Sequence, residues 1–189
     1  MLSTYSRRLS TYLAHPDPLT AATNLIAFIV GANGPFYPLY AMLLIGFHGA
    51  STFFTMLSSP FFLAIPALSK RSDLAGRIAL PIVGTLNTLW CAKLLGLASG
   101  VELFLLPCIT IAALSFRPRE RLFMLPLTGL PMGLYLWLHH RYGPPLLDFN
   151  PEQYAALLSL NVASTGTLTA FLGLVYAKAL SSSSSSRMG

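Results

Sequence analysis

The chain has 189 residues, of which 54% are hydrophobic and only 10% charged, and its mean hydropathy of +0.63 excludes an ordinary water-soluble domain. Crossing a bilayer takes ~20 mostly apolar residues, so this length accommodates about six spans with short loops and leaves nothing for a soluble catalytic domain. The net charge of +6 and the pI near 9.6 suit nucleic acid in principle, but the cations stand in short clusters between apolar runs, which is how membrane orientation is encoded; no nucleic-acid partner is expected.

Residues 1–18 carry Arg7 and Arg8 without an apolar core and read as a cytoplasmic segment, not as a cleaved signal peptide. The first apolar stretch, 20–46, holds Gly31, Gly34, Pro35 and Pro38 near its middle. Either half alone is too short to cross, so one kinked helix is expected, with a re-entrant turn at 31–38 as the alternative. A polar turn at 47–51 leads to a second span, 52–68, that stops at Lys70 and Arg71. The third covers 80–95, and residues 96–100 form a hairpin into the fourth, 101–116. Arg117, Arg119 and Arg121 close it. The fifth covers 122–138 and ends at His139-His140-Arg141; the sixth runs from 154 to 180, after a loop rich in Gly and Pro. Residues 181–189, mostly serine, read as a flexible cytoplasmic tail.

Lys and Arg in short loops favour the cytoplasmic side. One side collects Arg7, Arg8, Lys70, Arg71, Arg77, Arg117, Arg119, Arg121, Lys178 and Arg187, and the other only Lys93 and Arg141, a ratio of ten to two. The expected fold is therefore an all-α, polytopic bundle of six transmembrane helices at 19–180, multi-pass in the cell (inner) membrane, with both termini cytoplasmic.

The stretches Gly96-Leu97-Ala98-Ser99-Gly100-Val101-Glu102-Leu103-Phe104-Leu105-Leu106-Pro107 and Leu114-Ser115-Phe116-Arg117-Pro118-Arg119-Glu120-Arg121 resemble the six-helix membrane sensor region that precedes bacterial nucleotide cyclases, diguanylate cyclases and histidine kinases. Asn24, the basic turn after the second span, and Asn161 in the last span are similar too, so the resemblance spans about residues 20–180. It implies a module that detects a signal and passes it through its last helix to a cytoplasmic cyclase or kinase. Only residues 181–189 follow the last span, without a coiled-coil linker or output domain, so the expectation is a standalone relative, a partner of a separate output protein, or a truncated product.

Polar groups inside spans are expensive and point to packing seams or ligand pathways. Asn161, Thr165 and Thr169 recur every four residues in the last span, flanked by Gly166, Ala170 and Gly173, and Asn33 and Asn87 stand in the first and third. Helix packing and a polar pathway both remain open for them. His48, His139 and His140, with Glu102 and Glu152, fall on the outer side and offer imidazole and carboxylate ligands, although their spacing matches no metal signature. A haem between helices would have to pair His48 with His139 or His140. No cofactor is expected, and there is no nucleophile triad, phosphate loop or Cys pair. Three functions follow: a non-catalytic sensing or relay module acting through a cyclase, a kinase or self-association; a small carrier for an uncharged or weakly polar solute; and a haem- or metal-binding subunit.

Overall fold

The computed structural model describes residues 2–185, together with the side chains of 6–47 and 49–181; Arg187 and the last residues of the expected tail lie outside the described residues. The described residues are helical apart from short connections and a loop at 139–150: α1 (Leu2–Leu13), α2 (Pro18–Asn33), α3 (Phe36–Ile45), a 3-10 stretch (Gly46–Ser58) running into α4 (Ser59–Ser69), α5 (Asp73–Leu95), short 3-10 turns at Leu97–Ser99 and Val101–Phe104, α6 (Leu105–Leu114), a 3-10 turn at Pro118–Glu120, α7 (Arg121–Leu138) and α8 (Pro151–Ser185). Four helical stretches are long and apolar enough to cross a bilayer: Gly49–Ser69, Asp73–Leu95, Pro118–Leu138 and the body of α8. The bent pair α2 and α3, at 41° to one another, makes a fifth, and Val101–Leu114 is a shorter apolar helix.

Helix ends follow local chemistry. Asp17 caps α2 by accepting from the Thr20 N–H at 3.1 Å, with Pro18 at the first helical position. Ser72 caps α5 through the Ala75 N–H at 3.3 Å, and Asn150 caps α8 through the Gln153 N–H at 2.9 Å while Gln153 reaches back to the Asn150 N–H. The break between α2 and α3 falls at Gly34-Pro35, because Pro35 and Pro38 have no N–H to donate and crowd the preceding carbonyls. After α3 the chain reverses within a few residues: a Cβ on Gly49 would sit 2.6 Å from the Met42 backbone nitrogen, so only glycine permits that turn.

Two buried clusters form the bundle interior. Toward the basic side, Ile26, Ala27, Phe62, Ile65, Leu80, Leu172 and Tyr176 pack together; toward the other, Ala41, Cys91, Leu94, Leu95, Val101, Phe149 and Leu157 do. α2 and α4 approach closely because a Cβ on Gly34 would lie 2.0 Å from the Ser59 hydroxyl and one on Gly31 would lie 3.0 Å from Phe62 and Leu63.

Two elements differ from expectation. Residues 2–13 form a helix, with Arg7 and Arg8 exposed and the Tyr12 hydroxyl donating to the Leu63 carbonyl at 2.6 Å. α8 continues through Ser185 instead of ending at 180, at modest cost, since serine lies mid-scale in helix propensity.

Candidate functional site

A partly open cavity of about 470 Å³ lies where the first crossing breaks, walled by α2, α3, the 3-10 stretch, α4, α5 and α8. Asn33 and Asn87, the polar residues singled out in the first and third spans, both line it, joined by Tyr37, Ser58, Ser59, Thr88 and Cys91. No charged side chain contributes to its lining. The Asn87 carbonyl oxygen accepts from the Ser58 hydroxyl at 2.6 Å and weakly from the Cys91 thiol at 3.6 Å. Thr88 turns its hydroxyl back to the Gly84 carbonyl at 3.0 Å and is thereby satisfied within its own helix. The Tyr37 hydroxyl is buried against the Asn161 side chain, without a hydrogen bond of full geometry.

On α8, Asn161 and Thr165 are buried, and the Asn161 amide donates to the Ser99 carbonyl at 2.8 Å, stitching the helix to the turn after α5. Thr169 is exposed, its hydroxyl bonded to the Thr165 carbonyl at 2.8 Å. Three sequence-matched residues are thus not one face. Each step of four residues drifts ~40° around a helix of 3.6 residues per turn, and the inward seam corrects the drift by mixing steps of three and four through the partly buried Leu168 and the buried Leu172, Tyr176 and Ala179. Leu168 and Phe171, with Ala163, Ser164 and Thr167, form the α8 wall of the cavity.

A second polar constellation lies on the basic side. Arg77, only 2% exposed, donates to both oxygens of Glu120 and to the Ser115 carbonyl at 3.1 Å. Glu120 also accepts the Arg117 N–H at 2.8 Å, and the Arg117 guanidinium pairs with Asp17, the cap of α2. His15 stands 3.5 Å from Asp73. The Ser115 hydroxyl shares a hydrogen bond with that of Tyr176 on α8. These contacts tie the loop before α2, the body of α5, the turn between α6 and α7, and α8. Sequence reading took the same cations as orientation signals and passed over the carboxylates, so it missed the clasp; its one local hint was Arg77 itself, a cation placed within an apolar helix.

On the opposite side, His139 Nδ1 lies 2.7 Å from Glu102, and the His139 and His140 rings are 4.0 Å apart. Lys93 donates to the Tyr142 and Pro144 carbonyls at 2.9 and 2.7 Å, fixing the loop to α5. Burial, with the Glu102 carboxylate nearby, pushes the Tyr142 phenol up. Glu152 sits apart in the first turn of α8, and the His48 side chain lies outside the described residues. Among the described residues no three His, Cys, Asp or Glu side chains group as metal ligands. Cys91 and Cys108 are both free thiols.

No protein family, curated protein or solved structure matches the chain.

Proposed function

We propose that this chain is a membrane-embedded sensing or signal-relay module without catalytic activity of its own. It crosses the bilayer six times with both ends cytoplasmic, and acts through α8 on a cytoplasmic output of the cyclase or kinase class. The bent α2–α3 pair counts as one crossing and Val101–Leu114 as a short one, reaching ~23 Å by the rises of its 3-10 and α portions, which requires local thinning of the bilayer or tilt of its neighbours. The ten-to-two distribution of Lys and Arg supports the orientation.

The path of α8 carries this reading. One stretch of it walls the cavity, and two turns further on Tyr176 joins it to Ser115 and so to the Arg77 clasp. Whatever changes the cavity therefore bears on the helix that emerges among the basic loops. A small site of mostly apolar lining with a few polar groups suits a ligand, and a helix running from ligand to cytoplasm suits a relay.

A chimera joining α8 after Ser185 to the catalytic domain of a nucleotide cyclase, expressed in bacteria that lack their own cyclase, tests it. Cyclic-nucleotide output should change at least about threefold on Asn87→Leu, on Tyr176→Phe, and on insertion of one residue at the junction, which turns the output by ~100°. An output indifferent to all three overturns the reading.

The broken first crossing favours a second reading, a small carrier for an uncharged solute, since discontinuous helices build many transporter sites near mid-membrane. Uptake into vesicles that depends on the protein and is lost in Asn33→Leu supports the carrier; uptake equal to that of empty vesicles removes it.

A further inference from the structure

We propose that the cavity holds a flat, uncharged ring bearing carbonyl oxygens, the headgroup class of the quinones, entering sideways from the lipid. This rests on the reading of the cavity as the ligand site of the module.

Charge decides the first property. An ionised ligand in hydrocarbon requires a counter-charge, and none of the residues lining the cavity carries one. Hydrogen bonding decides the second. The carbonyl of Asn87 is already occupied by Ser58 and Cys91, which leaves its amide N–H groups without a partner among the described residues. The Ser59 hydroxyl is likewise without a partner among the described residues, whereas the buried Tyr37 hydroxyl lies against the side chain of Asn161. Asn33 and the Ser59 hydroxyl can donate or accept, but Asn87, its oxygen already occupied, can only donate, and the complement to that donor is a carbonyl oxygen.

Shape decides the third. Tyr37, Phe62, Phe104 and Phe171 contribute aromatic walls from four different elements, and aromatic side chains pair by offset stacking or edge-to-face contact with another ring. The volume of about 470 Å³ falls inside the ~300–1,000 Å³ range of small-molecule sites. Access decides the fourth. Ile29, Ala163 and Thr167 line the cavity yet are exposed on the outer surface of the bundle, Ile29 in the bent α2–α3 pair and the other two in the long apolar α8, so in the proposed topology the mouth faces acyl chains rather than water.

The test uses the whole chain in phosphatidylcholine nanodiscs, titrated with a 1,4-benzoquinone bearing a ten-carbon tail. The readout is the fluorescence of Trp90, next to Cys91, in a Trp137→Phe background. Saturable quenching is expected, with displacement of the quinone by decylbenzene, dodecan-2-one or dodecanoate weaker by at least about tenfold. Asn87→Leu should weaken quinone binding about tenfold and Ser59→Ala about threefold, with Thr169→Ala unchanged and thermal unfolding used to verify that each variant is folded. The proposal is overturned by quenching that never saturates, by either hydrocarbon or carboxylate displacing the quinone equally well, by the acyclic ketone doing so, or by unchanged affinity in both folded cavity variants. Saturable quinone binding beside an indifferent cyclase chimera would retain the ligand and reject the relay. A responsive chimera with no quinone binding would do the reverse.

Discussion

The guanidinium of Arg77 meets both carboxylate oxygens of Glu120, at 2.6 and 2.8 Å, across 43 residues of chain. Such a fork is the geometry for which Arg is suited and Lys is not. Removing one partner from a buried pair strands a charge, at ~3–5 kcal/mol when burial is complete. Glu120 retains 16% exposure, so water compensates part of the loss. Glu120→Gln should therefore cost ~2 kcal/mol in reversible unfolding in detergent. The double replacement Arg77→Met with Glu120→Leu should recover at least half of that, because it leaves no charge behind. A double variant no more stable than Glu120→Gln would show that the clasp stabilises in some other way.

Gly34→Ala places a methyl carbon 2.0 Å from the Ser59 hydroxyl and 3.2 Å from its Cβ. α2 and α4 must separate, which should destabilise by ~1–3 kcal/mol. Adding Ser59→Ala removes the nearer obstacle and should restore about half, read as a melting-temperature shift of opposite sign. Equal melting temperatures for wild type and Gly34→Ala would refute the close approach.

On α8 the two ends of one sequence pattern should behave differently. Asn161→Leu breaks the bond to the Ser99 carbonyl and should cost ~0.6–1.7 kcal/mol, the range for hydrogen bonds between membrane helices. Thr169→Ala removes only a bond within the helix on an exposed face and should remain within ~0.5 kcal/mol. A Thr169 effect equal to that of Asn161 would argue for a partner against that face.

The proposed six crossings place Ser72 and Arg119 on one side and Asn150 on the other. Single cysteines at these positions, in a variant lacking Cys91 and Cys108, should react with a membrane-impermeant maleimide from the cytoplasm for the first two and from outside for the third. Labelling of Ser72→Cys and Arg119→Cys from opposite sides would refute that topology.

The apolar runs make the helices legible in the sequence, and Pro35 and Pro38 locate the break, because a missing N–H is written directly in the sequence. Asn33 and Asn87 were legible as costly polar groups, but that both would border one cavity depends on how α2 and α5 pack, which no local pattern states. The seam of α8 was half read: Asn161 and Thr165 are buried, while Thr169 has drifted off it. α1 is not evident from hydropathy although Leu2, Tyr5, Leu9 and Tyr12 recur at helical spacing, since the stretch is too short and too polar to cross a bilayer. The clasp was missed because its members are far apart in the chain and its carboxylates carry no weight in an orientation count.

Of the residues of α7, only Pro131 is buried, so one face of this apolar helix packs on the bundle and most of its surface is left uncovered by the rest of the protein. It begins at Arg121, next to the carboxylate that holds Arg77. A bilayer that thins or thickens tilts such a helix first, at a small cost per ångström of mismatch. In the proposed six-crossing arrangement, the thickness of the membrane would thereby gain a lever on the charged end of the bundle, independent of any dissolved molecule.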